Sequence, residues 1–229
     1  MSGTHESDIQ IEIANRQLEG RSAQRTPCVI VVDSSISMQD NDAIGEVNRG
    51  LRDFEADLKA DAIARDRVRV LVIRAGGDVS VARDWTDGSD FRAPSLSAGG
   101  STPLGEAMKL ALEQCEDQMA RIVASGNTCT LPYIILLSDG EPNDKDWEEE
   151  AKACRRAESA ANVFIMPFGT ESATMSKLQA FTNNHAFLLK GNSFREFFRF
   201  VARTMRTVTR SKPRERLRLQ LPPTIEIPT

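Results

Sequence analysis

"VIVVDSSISMQD" occupies Val29 to Asp40. Four consecutive β-branched residues with no polar alternation predict a strand covered on both faces, as in a parallel sheet. The run stops at Asp33, and Ser35 and Ser37 follow at alternate positions. An acid and two hydroxyls at the tip of a buried strand have two readings: Asp and Ser are favoured helix caps, and they are also hard oxygen donors for a bound group.

The flanking sequence decides the fold class. Ile44, Val47, Leu51, Phe54 and Leu58 recur at steps of three and four, one face of a helix. "VRVLVIRAG" (68–76) is a second strand, and "VSVARDW" (79–85) folds back on it through Gly76-Gly77-Asp78. In "AGGSTPLGEAMKLALEQCEDQMARIV", Thr102 stands where an N-cap is expected, and Pro103 suits the first position of a long helix. "LPYIILLSDG" (131–140) is a strand that again ends in an aspartate, Asp139. "DWEEEAKACRRAESAA" carries acids early and bases late, as a helix prefers. "NVFIMPFGT" and "HAFLLK" read as strands, "TMSKLQAF" as a short helix, and "SFREFFRFVARTMRTVTR" as a closing amphipathic helix whose phenylalanines 194, 197, 198 and 200 face the core.

Strands thus alternate with helices over residues 27–210, flanked by an extension, 1–26, and a proline-punctuated tail, 211–229. This is an α/β fold with a mostly parallel central sheet, one antiparallel hairpin strand at an edge, and helices on both faces. "IQIEI" alternates through Ile9, Ile11 and Ile13, and "LRLQL" through Leu217, Leu219 and Leu221. The two ends are expected to pair as a small accessory sheet.

Bulk properties narrow the function. The chain has 229 residues and a net charge of -4, which argues against a general nucleic-acid binder. No stretch approaches the roughly 20 apolar residues that span a bilayer. "MSGTHESDIQ" lacks the basic start and apolar core of a secretory signal, so a cytoplasmic protein is expected. Cys28, Cys115, Cys129 and Cys154 form no C-x-x-C pair and are expected to be reduced, buried thiols. His5 and His185 lie in unlike contexts, and no nucleophile is evident beside His185.

In parallel sheets ligands gather at the carboxyl ends of the strands. Asp33, Ser35, Ser37, Thr102 and Asp139 all fall there, and all are oxygen donors. That set suits Mg²⁺, with Mn²⁺ and Ca²⁺ as alternatives, rather than zinc. The acids Asp144, Asp146, Glu148, Glu149 and Glu150 read as a solvated helix start.

"DSSIS" resembles the D-x-S-x-S signature of von Willebrand factor A domains, "GGSTPLGEA" their threonine loop, and "LLSDGEP" their second aspartate loop. The three occur in the family's order over about residues 27–210. The resemblance implies a Rossmann-like fold and a metal-ion-dependent adhesion site, with Asp33, Ser35, Ser37, Thr102 and Asp139 in the matching positions. It also implies a protein partner whose Asp or Glu completes the metal shell. The chain is most similar to short, cytosolic bacterial members of the tellurite-resistance type, which implies a stress-response or signalling setting with a protein kinase and a PP2C-type phosphatase. It departs at Ile36, where many members carry glycine. That position is not a ligand in the family, so Ile36 is expected to pack inward or form an apolar rim.

The rival reading is a magnesium-dependent phosphatase or phosphotransferase of the haloacid-dehalogenase-like type. These enzymes resemble D-x-D-x-T at this strand end, whereas Ser35 stands here in place of the general acid. Neither G-x-x-x-x-G-K-[ST] nor G-x-S-x-G occurs. A binding module, not an enzyme, is expected.

Overall fold

The alternation hidden inside Val29–Val32 organises the molecule. Val29 and Val31 enter one interior, while Cys28, Ile30 and Val32 enter another on the opposite face of the sheet. The computed structural model describes residues 8–12, 23–139, 141–191, 193–211 and 216–228.

In chain order the elements are β1 (Asp8–Glu12), β2 (Gln24–Asp33), a 3₁₀ segment (Ile36–Asp42), α1 (Ala43–Ala60) and α2 (Ala62–Arg67). There follow β3 (Val68–Gly76), β4 (Asp78–Asp87), α3 (Leu104–Ala124), β5 (Thr128–Cys129) and β6 (Tyr133–Ser138). The last are α4 (Trp147–Ser159), β7 (Phe164–Gly169), α5 (Met175–Gln179), β8 (Phe187–Leu189), α6 (Phe194–Arg210), β9 (Arg216–Gln220) and β10 (Ile225–Glu226).

The main sheet runs β10-β8-β7-β6-β2-β3-β4, with β5 alongside the start of β2. β2 pairs parallel with both β3 and β6, and β4 is the antiparallel hairpin strand at one edge. At the other edge, β10 pairs antiparallel with β8. Two residues of strand after a proline pair give no periodicity, so β10 has no signature in the sequence. The chain ends also meet: β1 pairs antiparallel with β9, Ile9 opposite Leu219 and Ile11 opposite Leu217. Leu217 and Leu219 are buried beside α6, and Ile13 lies outside the described residues.

One interior holds α1 and α6. The α1 residues Val47, Leu51, Phe54 and Leu58 meet Phe194, Phe197, Phe198 and Phe200, all buried. Phe197 stands edge-on to Phe168 with centroids 4.7 Å apart. Arg195 pairs with Asp53 at 2.8 Å on the outside of the same helix pair. An exposed pair of that kind contributes at most about 1 kcal/mol. Each buried phenylalanine contributes roughly 1.5–3 kcal/mol, so apolar burial is what docks α6. The other interior holds α3, α4 and α5, with Met108, Ala111, Cys154, Leu178 and Phe181 against Val29, Val31, Leu71 and Ile134.

The start of α3 differs from the expectation. Pro103, not Thr102, holds the N-cap position, and no side chain from its own strand-to-helix connection caps it. Asp144, from the loop after β6, accepts hydrogen bonds from Gly105 N at 3.2 Å and Glu106 N at 2.9 Å. A carboxylate from elsewhere in the chain thus satisfies the orphan donors of the first turn and faces the positive end of the helix dipole. Asp144 is therefore not part of a merely solvated acidic start. Asp144→Ala should lower unfolding free energy in urea by about 1 kcal/mol, up to about 2, with Asp144→Asn retaining most of it. An Asp144→Ala protein as stable as the parent would show that the contact is idle.

Candidate metal centre

Because β2 and β6 are adjacent and parallel, with Val32 opposite Leu137, both strands deliver their polar ends to one place. Asp33 is completely buried, and Ser35 and Asp139 are nearly so. The Asp33 carboxylate accepts from Ser35 N at 2.8 Å on Oδ1 and from Ser138 Oγ at 2.6 Å on Oδ2. Ser37 Oγ donates to Asp139 Oδ2. Ser35 Oγ and Ser37 Oγ lie 3.0 Å apart. Since the Ser37 proton is committed to Asp139, Ser35 is the donor of that pair. Two carboxylates and two hydroxyls therefore form one continuous set.

The helix-cap alternative does not describe Asp33 or the serines. Ser35 occupies the N-cap position of the 3₁₀ segment but makes no side-chain cap bond.

Thr102 reaches this edge through backbone lacing. Ser34 N donates to Ala75 O at 2.7 Å, Gly99 N to Ser34 O at 2.8 Å, Ile36 N to Gly100 O at 3.1 Å and Gly77 N to Ser101 O at 2.9 Å. Gly77 and Gly100 both adopt positive φ, 73° and 76°, and their backbones touch. A Cβ on Gly100 would collide with the Gly77 backbone, so both the conformation and the approach require glycine. Thr102 is then clamped by Asn143: its N donates to Asn143 Oδ1 at 3.0 Å, and Asn143 N donates to Thr102 O at 3.1 Å. The Thr102 side chain is buried to the same degree as that of Asp139.

Ser138 and Asn143 are positioning residues that motif reading alone passes over. Ser138 has a signal in hindsight, since a residue just before Asp139 on a strand in register with β2 must face the end of β2. Asn143 has none, because its partner is set by the path of a loop.

The electrostatics of the set are unfavourable as the side chains stand. Burial, and then the charge of Asp139, push the Asp33 carboxyl from 3.8 up to about 6, against the hydrogen bonds from Ser138 and Ser35. Ser34 Oγ is buried with no hydrogen-bond partner in the same loop. Two like charges and several hydroxyl oxygens in a desolvated hollow make a donor set that fits a hard divalent cation. Among the described residues, no three of His, Cys, Asp and Glu converge, so softer metals lack the ligands they favour.

The fold has known counterparts. The model of the von Willebrand factor type A domain matches residues 28–203. The chain belongs to the von Willebrand factor type A (VWA) domain family. No curated protein sequence matches it. Similar solved structures include the von Willebrand factor type A protein from Catenulispora acidiphila, 14% identical with a TM-score of 0.61 over 88% of this chain and 51% of that one. Proximal thread matrix protein 1 from the mussel byssus is 16% identical, with a TM-score of 0.56 over 90% and 50%. The pilus adhesin SpaC from Lactobacillus rhamnosus GG is 14% identical, with a TM-score of 0.63 over 89% and 36%. The chain spans about half the length or less of these structures, and at such identities the likeness is one of fold.

In this VWA domain Ile36 is 63% exposed. It does not pack inward. All four cysteines are free thiols, Cys28, Cys115 and Cys154 buried and Cys129 half-buried. Burial pushes Cys28 and Cys129 up to about 12.

The raised Asp33 carboxyl gives a pH signature. Its folded value, about 6, lies above the unfolded 3.8. Below about pH 4 the group is protonated in both states and costs nothing. Between about 4 and 6 the folded state holds the proton that the unfolded state has released, and above about 6 the full burial cost is present. Metal-free stability should therefore fall as pH rises from about 4 to about 6 and then level, and Asp33→Asn should flatten that fall. Parallel stability curves for the two proteins across this window would refute the assignment.

Proposed function

We propose that this VWA domain is a metal-dependent protein-interaction module and not an enzyme. The observation that carries the reading is the buried Asp33–Asp139 pair, joined through Ser35 and Ser37 and short of positive charge. Asp33, Ser35, Ser37, Thr102 and Asp139 would hold the ion, Mg²⁺ first, with Mn²⁺ and Ca²⁺ as alternatives. When bound, a divalent ion supplies the charge that offsets the two carboxylates and attracts an acidic side chain of a partner.

The residues of this chain prepare that contact. Ser138 and the Ser35 amide fix Asp33, Asn143 fixes Thr102, and the glycine contact fixes the loop between them. A groove of about 430 Å³ leads away from Ser37 and Asp139 past Met38, Glu141, Thr170 and Phe194. It gives a partner segment a path beside the ion, with Ile36 as an apolar rim. Asp33 is engaged by two donors, and Ser35 supplies a hydroxyl where a haloacid-dehalogenase-like phosphatase needs an acid, so the arrangement favours binding over phosphoryl transfer.

The finer setting follows from the motifs. Their likeness to short bacterial tellurite-resistance members makes a protein kinase and a PP2C-type phosphatase of a stress-response system the first partners to try. Four free thiols support a reducing, cytoplasmic compartment. Among the described residues, no helix is long and apolar enough to cross a membrane.

Magnesium or manganese at about one hundred times its dissociation constant should stabilise the protein by about 2.7 kcal/mol, and Asp33→Ala should abolish the effect. Equal melting curves in EDTA and in metal would sink the reading. EDTA, Thr102→Ala and Asp139→Ala should each weaken capture of an acidic partner while the circular dichroism spectrum stays unchanged. Ile36→Ser should weaken that capture and leave metal stabilisation intact; a loss of metal response as complete as in Asp33→Ala would place Ile36 in the ion site instead.

A further inference from the structure

The groove beside the candidate metal centre has a charge of its own. Asp40, Asp139, Glu141 and Glu171 line it, and no lysine or arginine does. Asp139 belongs to the ion set. Glu141 is paired with Lys177, whose Nζ lies 2.6 Å away. Asp40 and Glu171 have no ion pair among the described residues, and Glu171 Oε1 accepts from Gly191 N at 2.8 Å. Arg49 is committed to Asp42 and Glu46. The same groove is lined by Met38, Ala43 and Phe194, which belong to the interior that holds α1 and α6.

Two kinds of cation answer that charge. A second divalent ion needs acids close enough to share it, and among the described residues no three of His, Cys, Asp and Glu lie so. Acids spread along a partly apolar groove suit long cationic side chains instead. Their methylene stems lie on apolar surface while their charged heads reach carboxylates. The acids also limit what the ion can recruit. A bound ion attracts a partner's carboxylate, but Asp40 and Glu171 repel any segment that brings only negative charge. A cation on the same segment removes that repulsion.

We propose that the partner segment carries both signs of charge: an acidic residue for the ion, and lysine or arginine two positions away that lies in the groove against Asp40 and Glu171. In an extended segment residues two apart share a face, about 6.5 Å from one another, so both side chains can point at this edge. The inference rests on the metal-dependent reading above and adds to it the sequence character of the partner.

Glycine-based peptides test this by NMR titration of the full chain in Mg²⁺ and in EDTA. One has a central glutamate with lysine two positions to either side, and a second has glutamine in place of the lysines. A third keeps the lysines around a central glutamine. In Mg²⁺ the lysine–glutamate peptide should bind about tenfold tighter than the glutamine-flanked one, as for two exposed ion pairs, and EDTA should abolish the binding of both. Asp40→Asn with Glu171→Gln should erase the preference while magnesium still raises the melting temperature. Glu116→Gln with Asp117→Asn, which removes the same charge from the exposed side of α3, should leave the preference intact. Equal affinity of the two glutamate peptides, both lost in EDTA, overturns the inference and leaves the metal-dependent reading standing. So does the absence of any saturable shift while magnesium still stabilises the chain. Equally tight binding of the peptide without glutamate shows plain attraction to an acidic surface and overturns it. Loss of magnesium stabilisation in the Asp40→Asn, Glu171→Gln protein shows that these acids hold an ion and also overturns it. A parent chain that magnesium does not stabilise overturns the inference and the underlying reading together.

Discussion

The rest of this structure depends on holding two carboxylates, Asp33 and Asp139, close together away from water. Nothing local does this. They lie at the ends of strands far apart in sequence, and burial, then the charge of Asp139, raises the Asp33 carboxyl above its usual range. What compels the approach is burial on both faces of β2 and β6. Slipping either strand by one residue would turn Val29 and Val31, or Ile30 and Val32, into the wrong interior. The apolar core sets the register, and the register places the acids.

The loops around the acids are stiff for a different reason. Their hydrogen bonds are mostly backbone to backbone, across three connections that follow β2, β3 and β4. Such lacing depends on main chains touching, which Gly77 and Gly100 permit. Side chains at the site are thus presented by a framework whose geometry does not rest on their own identity. Variants at Thr102 or Asp139 should test chemistry more than folding for this reason.

The same economy appears at α3. Its first turn is capped by Asp144 from the loop that also carries Asp139 and Asn143. One loop therefore anchors a helix terminus, fixes the Thr102 backbone and supplies an acid to the site. Movement of that loop would be felt at all three.

By itself, the sequence determined the alternation of strands and helices, the parallel sheet with its hairpin edge, and the five oxygen-bearing residues at the strand ends. These are local or periodic signals: an unbroken β-branched run, apolar steps of three and four, and hydroxyls beside an acid. Tertiary structure alone decided that Asp144 rather than Thr102 caps α3, that Ser138 and Asn143 hold the site, that Ile36 faces solvent, and that β10 extends the sheet. Each of these depends on which distant backbone a residue meets, and hydrophobic periodicity carries no information about a partner that lies across a loop.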